Sequence, residues 1–230
     1  MTIDSIPGSH GTSVARLSDR LIRWLVVSTL LLWIVVLTEW FFAAAVMNSL
    51  WILAIALWAG TGSLALTLTV VLLFLLLRRR RYVPAIGLVA VAALVSTTTL
   101  SIPWQEVYPR VWFATHRAQF ARAVDLAASG GLGAGLDDYM GAPLPADVRA
   151  ISVDGELVRI WTFDSEDGDL SGECEPALFA PAAFGIPDGA IGFVHLPCSR
   201  PPANFWLDAY ADGIHPRIEL GDGWWWADGG

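Results

Sequence analysis

Three long apolar runs, the last two separated by Arg78-Arg79-Arg80-Arg81, constrain this chain more than any other feature. At 1.5 Å rise per residue, roughly 20 helical residues cross a hydrocarbon core about 30 Å thick. The runs extend from about Trp24 to Val46, from about Leu50 to Leu77 and from about Tyr82 to Ile102, and Glu39 is their one charged residue. They predict three transmembrane helices at about 24–46, 50–77 and 82–102. The second is long enough that it must tilt or protrude.

Arginine-rich short loops stay on the cytoplasmic side during insertion. With 78–81 inside, the third helix leads outward, the second returns inward, and the first starts inside behind Arg16, Arg20 and Arg23. Both basic clusters then agree. The expected organisation is a disordered cytoplasmic tail over residues 1–20, a three-helix membrane region over 21–102 and an extracytoplasmic domain over 103–230. The charge balance changes at the same place: residues 1–102 carry 7 Arg and 3 acids, residues 103–230 carry 7 Arg and 19 acids, and no lysine occurs. Basic flank, apolar run and Ala43-Ala44-Ala45 also fit a cleaved signal peptide. Bulky Trp40, Phe41 and Phe42 before the alanines, and the apolar run that follows almost at once, favour an uncleaved helix.

Glu39 lies near the far interface beside Trp40. Intramembrane acids are candidate proton or ion relays, but a hydrated interfacial carboxylate is the simpler expectation. Ala56 and Gly60, Ala59 and Ser63, Ala92 and Ser96, and Ala93 and Thr97 have the small-xxx-small spacing that lets helices approach closely. It predicts packing among the three helices, with a homo-oligomer through them as the alternative.

Cys174 and Cys198 both fall in the external half, where an even pair predicts a disulfide. Trp112, His116, Phe120 and Val124 recur every four residues, with Phe113, Ala123 and Ala127 alongside. This periodicity predicts an amphipathic helix from about Pro109 to Ala128 that packs on the following strands. The glycine-rich stretch 130–135 reads as a flexible link. Asp154-Gly155 between apolar runs predicts a hairpin of Val148–Val153 with Glu156–Phe163. Further strands are expected at 190–196, 204–210, 217–220 and 224–227, the last two joined by Gly221-Asp222-Gly223. A helix followed by unalternated strands predicts α+β with a mostly antiparallel sheet.

Candidate sites are few. Asp164, Glu166, Asp167, Asp169, Glu173 and Glu175 form an acidic loop, and Asp164, Glu166 and Glu175 stand at positions 1, 3 and 12 of a calcium-loop count. Glycine at position 5 instead of 6 and the lack of flanking helices favour a solvated loop. His116, His195 and His215, with Asp208, Asp212 and Asp222, are the candidate acid–base groups; His195 is placed in a strand and His215 in a turn before Pro216. No Gly-x-Ser-x-Gly elbow or His-x-x-x-His pair accompanies them. On a strand, Trp224 and Trp226 face one side and Trp225 the other. An exposed member would suit a carbohydrate face, a protein partner or the bilayer. The resulting expectation is a binding or accessory module with no cofactor and no nucleic-acid partner. Its partners would be the lipid bilayer and an envelope protein or carbohydrate. An envelope hydrolase with a His/Asp site is the alternative, and a transport-complex subunit a third.

The segments Trp112-Phe113-Ala114-Thr115-His116-Arg117, Gly185-Ile186-Pro187-Asp188-Gly189-Ala190-Ile191-Gly192-Phe193 and Leu220-Gly221-Asp222-Gly223-Trp224-Trp225-Trp226 resemble a group of actinobacterial multi-pass membrane proteins with a C-terminal extracytoplasmic domain. The resemblance covers mainly residues 105–226. It implies the plasma membrane of a Gram-positive bacterium and brings no catalytic residues with it.

Overall fold

A computed structural model describes residues 10–43, 52–137, 141–160, 162–163, 177–184, 190–197, 201, 206–209 and 212–229. The chain forms two compact units, one of three long helices and one that contains everything from Pro103 onward.

The first unit takes in α1 (His10–Phe41) up to Trp40, α2 (Ile52–Arg78) from Ala56 onward and α3 (Tyr82–Ser101). Within them Arg20–Phe41, Leu53–Arg78 and Tyr82–Ser101 are each long and apolar enough to span a bilayer. α1 starts at His10, so residues 10–20 of the stretch expected as a tail are helical. Each helix presents a seam of residues three, four or seven apart: Ile22, Thr29, Trp33 and Val36 on α1, Ala65, Thr69, Leu72 and Leu76 on α2, and Ala85, Leu88, Val95 and Thr99 on α3. This is the left-handed, heptad-like spacing of helices that cross at a shallow angle. Leu53, Leu66, Phe74, Val83, Ile86 and Leu100 remain exposed, as a lipid-facing surface requires. The seam is not the small-residue face anticipated on α2. Ala56, Ala59, Gly60 and Ser63 are exposed, and nothing lies within 4 Å of where a Cβ on Gly60 would be. Polar groups join the seam instead, with Trp33 Nε1 donating to Thr69 Oγ1 at 3.1 Å, while Thr69 donates back to the Ala65 carbonyl at 2.7 Å.

The arginine tetrad forms the α2–α3 turn. Arg81 N–H reaches the Leu76 carbonyl and Arg80 N–H the Leu77 carbonyl, both at 2.9 Å, and Arg80 has φ 55°. These are the two bonds and the left-handed residue of a Schellman C-cap.

In the second unit, α4 (Trp104–Ala128) carries Pro109 inside it and a kink at His116, where φ is −114° and ψ 16°. His116 Nδ1 lies 2.9 Å from the Trp112 carbonyl, so the protonated Nδ1 tautomer satisfies an acceptor where the helix opens. Its ring stacks on Trp112 with centroids 4.2 Å apart. The helix thus begins five residues before the expected start, and its buried face is Tyr108, Pro109, Phe113, Phe120 and Ala123.

Short 3-10 turns at Gly133–Asp137 and Arg149–Ile151 accompany eight strands among the described residues: β1 (Ala142–Pro143), β2 (Glu156–Ile160), β3 (Thr162–Phe163), β4 (Ala177–Phe184), β5 (Ala190–His195), β6 (Trp206–Ala209), β7 (Asp212–Gly221) and β8 (Trp224–Gly229). Every pairing is antiparallel, in the order β1-β2-β4-β5-β8-β7-β6-β3. β2 and β3 are separated only by residue 161, yet β2 pairs with β4 and β3 with β6. One stretch of chain therefore serves both flanks, and the sheet must curl into a half-barrel.

The two faces of this curled sheet have separate cores. Val158, Ile160, Phe179, Val194, Leu207 and Ile214 fill the concave side. Leu157, Leu178, Phe193, Trp224 and Trp226 form the other face and pack against Phe113 and Phe120 of α4. Phe120 is fully buried, with ring centroids 4.9 Å from Phe193 and 4.8 Å from Trp224.

Three local expectations are corrected. Val148–Val153 is not a strand; Val148 and Ile151 bury at i, i+3 around a 3-10 turn, while Val153 is exposed. Asp154 does not make the hairpin turn because its carboxylate accepts the Glu156 N–H at 3.0 Å and is bonded by Ser152 Oγ, a side-chain-closed turn. His215-Pro216 lies within β7, which tolerates the proline through a register shift between Pro216 and Ile218.

Candidate functional site

A row of residues crosses the helix-facing side of the sheet. Arg159 of β2 is opposite Leu178 of β4, Leu178 is opposite His195 of β5, and His195 is opposite Trp224 of β8. Directly paired residues point to the same side, and strands lie about 4.8 Å apart, so the row forms a continuous floor. The last turns of α4 stand over it. Val124, Ala127 and Ala128 from the helix, Arg159, Leu178 and His195 from the floor, and Pro197 enclose a cleft of about 260 Å³.

Arg159 supplies one end. Its Nη1 donates to Asp137 Oδ1 at 2.6 Å, which ties β2 to the 3-10 turn before β1. Its Nε is buried and has no hydrogen-bond partner among the described residues. A buried donor without an acceptor costs more than an ordinary hydrogen bond contributes, and because this atom is sealed from solvent it is not open to an incoming oxygen.

His195 supplies the other end. The ring packs edge-on against Trp224 with centroids 5.3 Å apart and is seated on the β7–β8 turn, where a Cβ on Gly223 would come within 2.9 Å of its Nε2. Burial lowers its pKa below the usual 6.5, and a hydrogen bond to the Asp222 backbone opposes that shift. The imidazole is therefore mostly neutral at pH 7. Asp222 in turn receives Arg117 Nε at 2.6 Å and Arg117 Nη2 at 2.7 Å, a bidentate pair that holds its carboxyl below the ordinary range and fastens α4 to the turn. Arg117, Asp222 and His195 thus form one connected set.

A second polar set lies on β7 and β8. His215 is opposite Asp228, and Arg217 Nε is 2.5 Å from Asp228 Oδ1. Burial raises the Asp228 pKa, opposed by Arg217.

Of the residues singled out from sequence, Trp224 and Trp226 are buried against α4, whereas Trp225 is half-buried on the concave side. The alternation is as anticipated, but two of the three rings are core. His116 is half-buried and hydrogen-bonded on α4. His195 and Asp222 come together; His215 is a separate site. Asp164, Glu166, Glu175, Cys174 and Cys198 lie outside the described residues. Among the described residues, no three His, Cys, Asp or Glu side chains converge as a metal would need. In the first unit Glu39 is half-buried, with Thr61 Oγ1 2.7 Å from its Oε2. Arg159 and Asp137 were not legible as site residues, because only strand register places Arg159 in line with His195. No known protein family, curated protein or solved structure matches the chain.

Proposed function

We propose that the chain is a plasma-membrane protein of a bacterial envelope, whose unit beyond Pro103 lies outside the cytoplasm and serves as a binding or accessory module. The observation that carries the binding reading is the cleft beneath α4, which combines apolar walls with the side chains of Arg159 and His195. Ligand sites have this composition, an apolar lining with a few placed polar groups. Orientation follows from Arg16, Arg20 and Arg23 before the first span and Arg78–Arg81 between the second and third, because an odd number of spans puts the two termini on opposite sides. A Cys174–Cys198 disulfide belongs to the same reading, and so does the resemblance to actinobacterial membrane proteins.

Topology is tested by labelling single cysteines at position 79 and position 230 in intact cells, in a Cys174→Ser, Cys198→Ser background. Position 230 should react with an impermeant maleimide and position 79 only after permeabilisation. Labelling of both from one side would overturn the reading. An envelope hydrolase is the second reading, favoured by His195, which is neutral at pH 7 and therefore able to accept a proton at the cleft edge. His195→Gln separates the two: a binding module keeps its cellular role with altered affinity, whereas an enzyme that uses this base loses its role while staying folded.

A further inference from the structure

We propose that the end of the helical unit that carries the arginine tetrad binds the headgroup of an anionic phospholipid, with Arg20 and Arg23 of α1 and Arg78–Arg81 of the α2–α3 turn acting as one surface. The inference rests on the reading of this unit as membrane-spanning and names the lipid class that it selects.

The two basic clusters stand in different segments of the sequence, and the fold joins them. Ile22 is buried in one cluster with Leu72 and Leu76 near the end of α2 and with Ala85 and Leu88 near the start of α3. The stretch of α1 that holds Arg20 and Arg23 therefore stands beside the tetrad, and all six arginines are exposed. This end keeps a positive charge whatever pairs form locally. Arg16 brings the arginines to seven, whereas Asp4 and Asp19 are the only acids before Glu39, and none occurs between Glu39 and Ile102. Glu39 is sixteen residues beyond Arg23, about 24 Å along the helix. The acids of residues 103–230 follow the 20 residues of α3 and lie across the bilayer under the topology proposed above.

Two features select a lipid over a dissolved phosphate. Leu21, Leu77, Val83 and Ile86 are exposed next to the arginines, an apolar flank that acyl chains cover and a hydrated ion cannot use. Trp24 and Tyr82, also exposed, adjoin the two clusters, and amphipathic rings of this kind sit at the headgroup level. Arginine presents a planar fork that meets two phosphate oxygens at once. Basic clusters of about this size beside a span attract anionic lipid. A zwitterionic headgroup brings an ammonium that the same arginines repel, so the preference is for net negative charge.

The full chain is reconstituted in phosphatidylcholine vesicles that hold a trace of spin-labelled phosphatidylglycerol or spin-labelled phosphatidylcholine. Electron paramagnetic resonance measures the share of each label immobilised at the protein. Both leaflets have one composition, so the result does not depend on the direction of insertion. Phosphatidylglycerol should associate several-fold more strongly than phosphatidylcholine, and about 0.5 M NaCl should bring the two close to equal by screening exposed charge. The pair Arg20→Gln, Arg23→Gln and the set Arg78→Gln, Arg79→Gln, Arg81→Gln should each reduce the preference by roughly twofold or more, with far-UV circular dichroism unchanged. Equal association of the two lipids, a preference that salt leaves intact, or one indifferent to the Arg20 and Arg23 pair would each overturn the proposal. Inorganic phosphate at matched ionic strength should not displace the labelled phosphatidylglycerol; displacement would overturn the lipid site in favour of a phosphate site. A tetrad variant that fails to fold leaves the salt series and the α1 pair to decide. Failure to immobilise either label would overturn the membrane-spanning reading itself, whereas equal immobilisation of both keeps that reading and removes only the selectivity.

Discussion

Phe120 bears more of the second core than any other side chain of α4. It is fully buried and meets the rings of Phe113, Phe193 and Trp224 at 4.8 to 5.1 Å. Phe120→Ala should therefore destabilise this unit by about 3–5 kcal/mol, the usual cost of a large aromatic cavity, as read from chemical unfolding followed by near-UV circular dichroism. His195 gives a prediction of a different kind. Its folded pKa lies below the unfolded value of 6.5, so the unfolded chain binds more protons as pH falls through that window. Stability must decline as pH drops from about 6.5 through the folded pKa, and it levels off below that pKa. His195→Gln should flatten the slope over this range; the Arg117–Asp222 pair beside it is already charged and adds no slope there. Phe113, Phe120 and Ala123 could be recognised from helical periodicity alone, since spacing along one element determines what they face. Arg159 could not, since its neighbour Leu178 is nineteen residues away and reaches it only through strand register.

Among the elements, the two Asp-Gly pairs show how identical local signals diverge. Asp154 closes its turn with its own carboxylate, whereas Asp222 and Gly223 adopt φ 55° and 78° and join Gly221 to Trp224 as a two-residue hairpin. Both central residues at positive φ are the mark of a type I′ turn, whose twist suits the flanking strands. The pair that makes the hairpin is the one followed by the tryptophan strand. Gly223→Ala meets two obstacles: a left-handed backbone, and a Cβ 2.9 Å from His195 Nε2 and 3.0 Å from the Leu196 carbonyl. It should cost about 1–3 kcal/mol and disturb the His195 end of the cleft, visible as a lowered unfolding midpoint beside a changed His195 imidazole signal in NMR. β4 was missed for a related reason. Pro181 reads as a strand breaker, but the register shift between Pro181 and Ala183 absorbs it, and the Pro181 carbonyl accepts the Val153 N–H at 2.7 Å.

For the whole molecule, the division between a helical unit and an α+β unit was legible, because apolar run length and the shift from excess arginine to excess acid fall at the same point of the chain. The curl of the sheet was not, because it depends on a single stretch, 156–163, pairing at both flanks. Under the proposed topology the arginine tetrad would link local conformation to global placement. Arg80 occupies the left-handed position of the α2 C-cap, where glycine would avoid a cost of roughly 1–2 kcal/mol. Backbone energetics therefore do not explain an arginine at this position; under the topology proposed above charge does, since the turn is short and lies between two candidate spans, the setting in which basic residues most strongly fix orientation. Replacing Arg78, Arg79 and Arg81 by Ser and Arg80 by Gly separates the two contributions. The cap should be retained or improved, so the three helices still form and far-UV circular dichroism is unchanged. The topological signal, however, falls to Arg16, Arg20 and Arg23 alone, and a fraction of molecules should insert with the second unit in the cytoplasm. Protection of a cysteine at position 230 from an impermeant maleimide in intact cells measures that fraction. Full labelling, as in the unaltered chain, would show that the N-terminal arginines suffice and that the tetrad has no role in orientation.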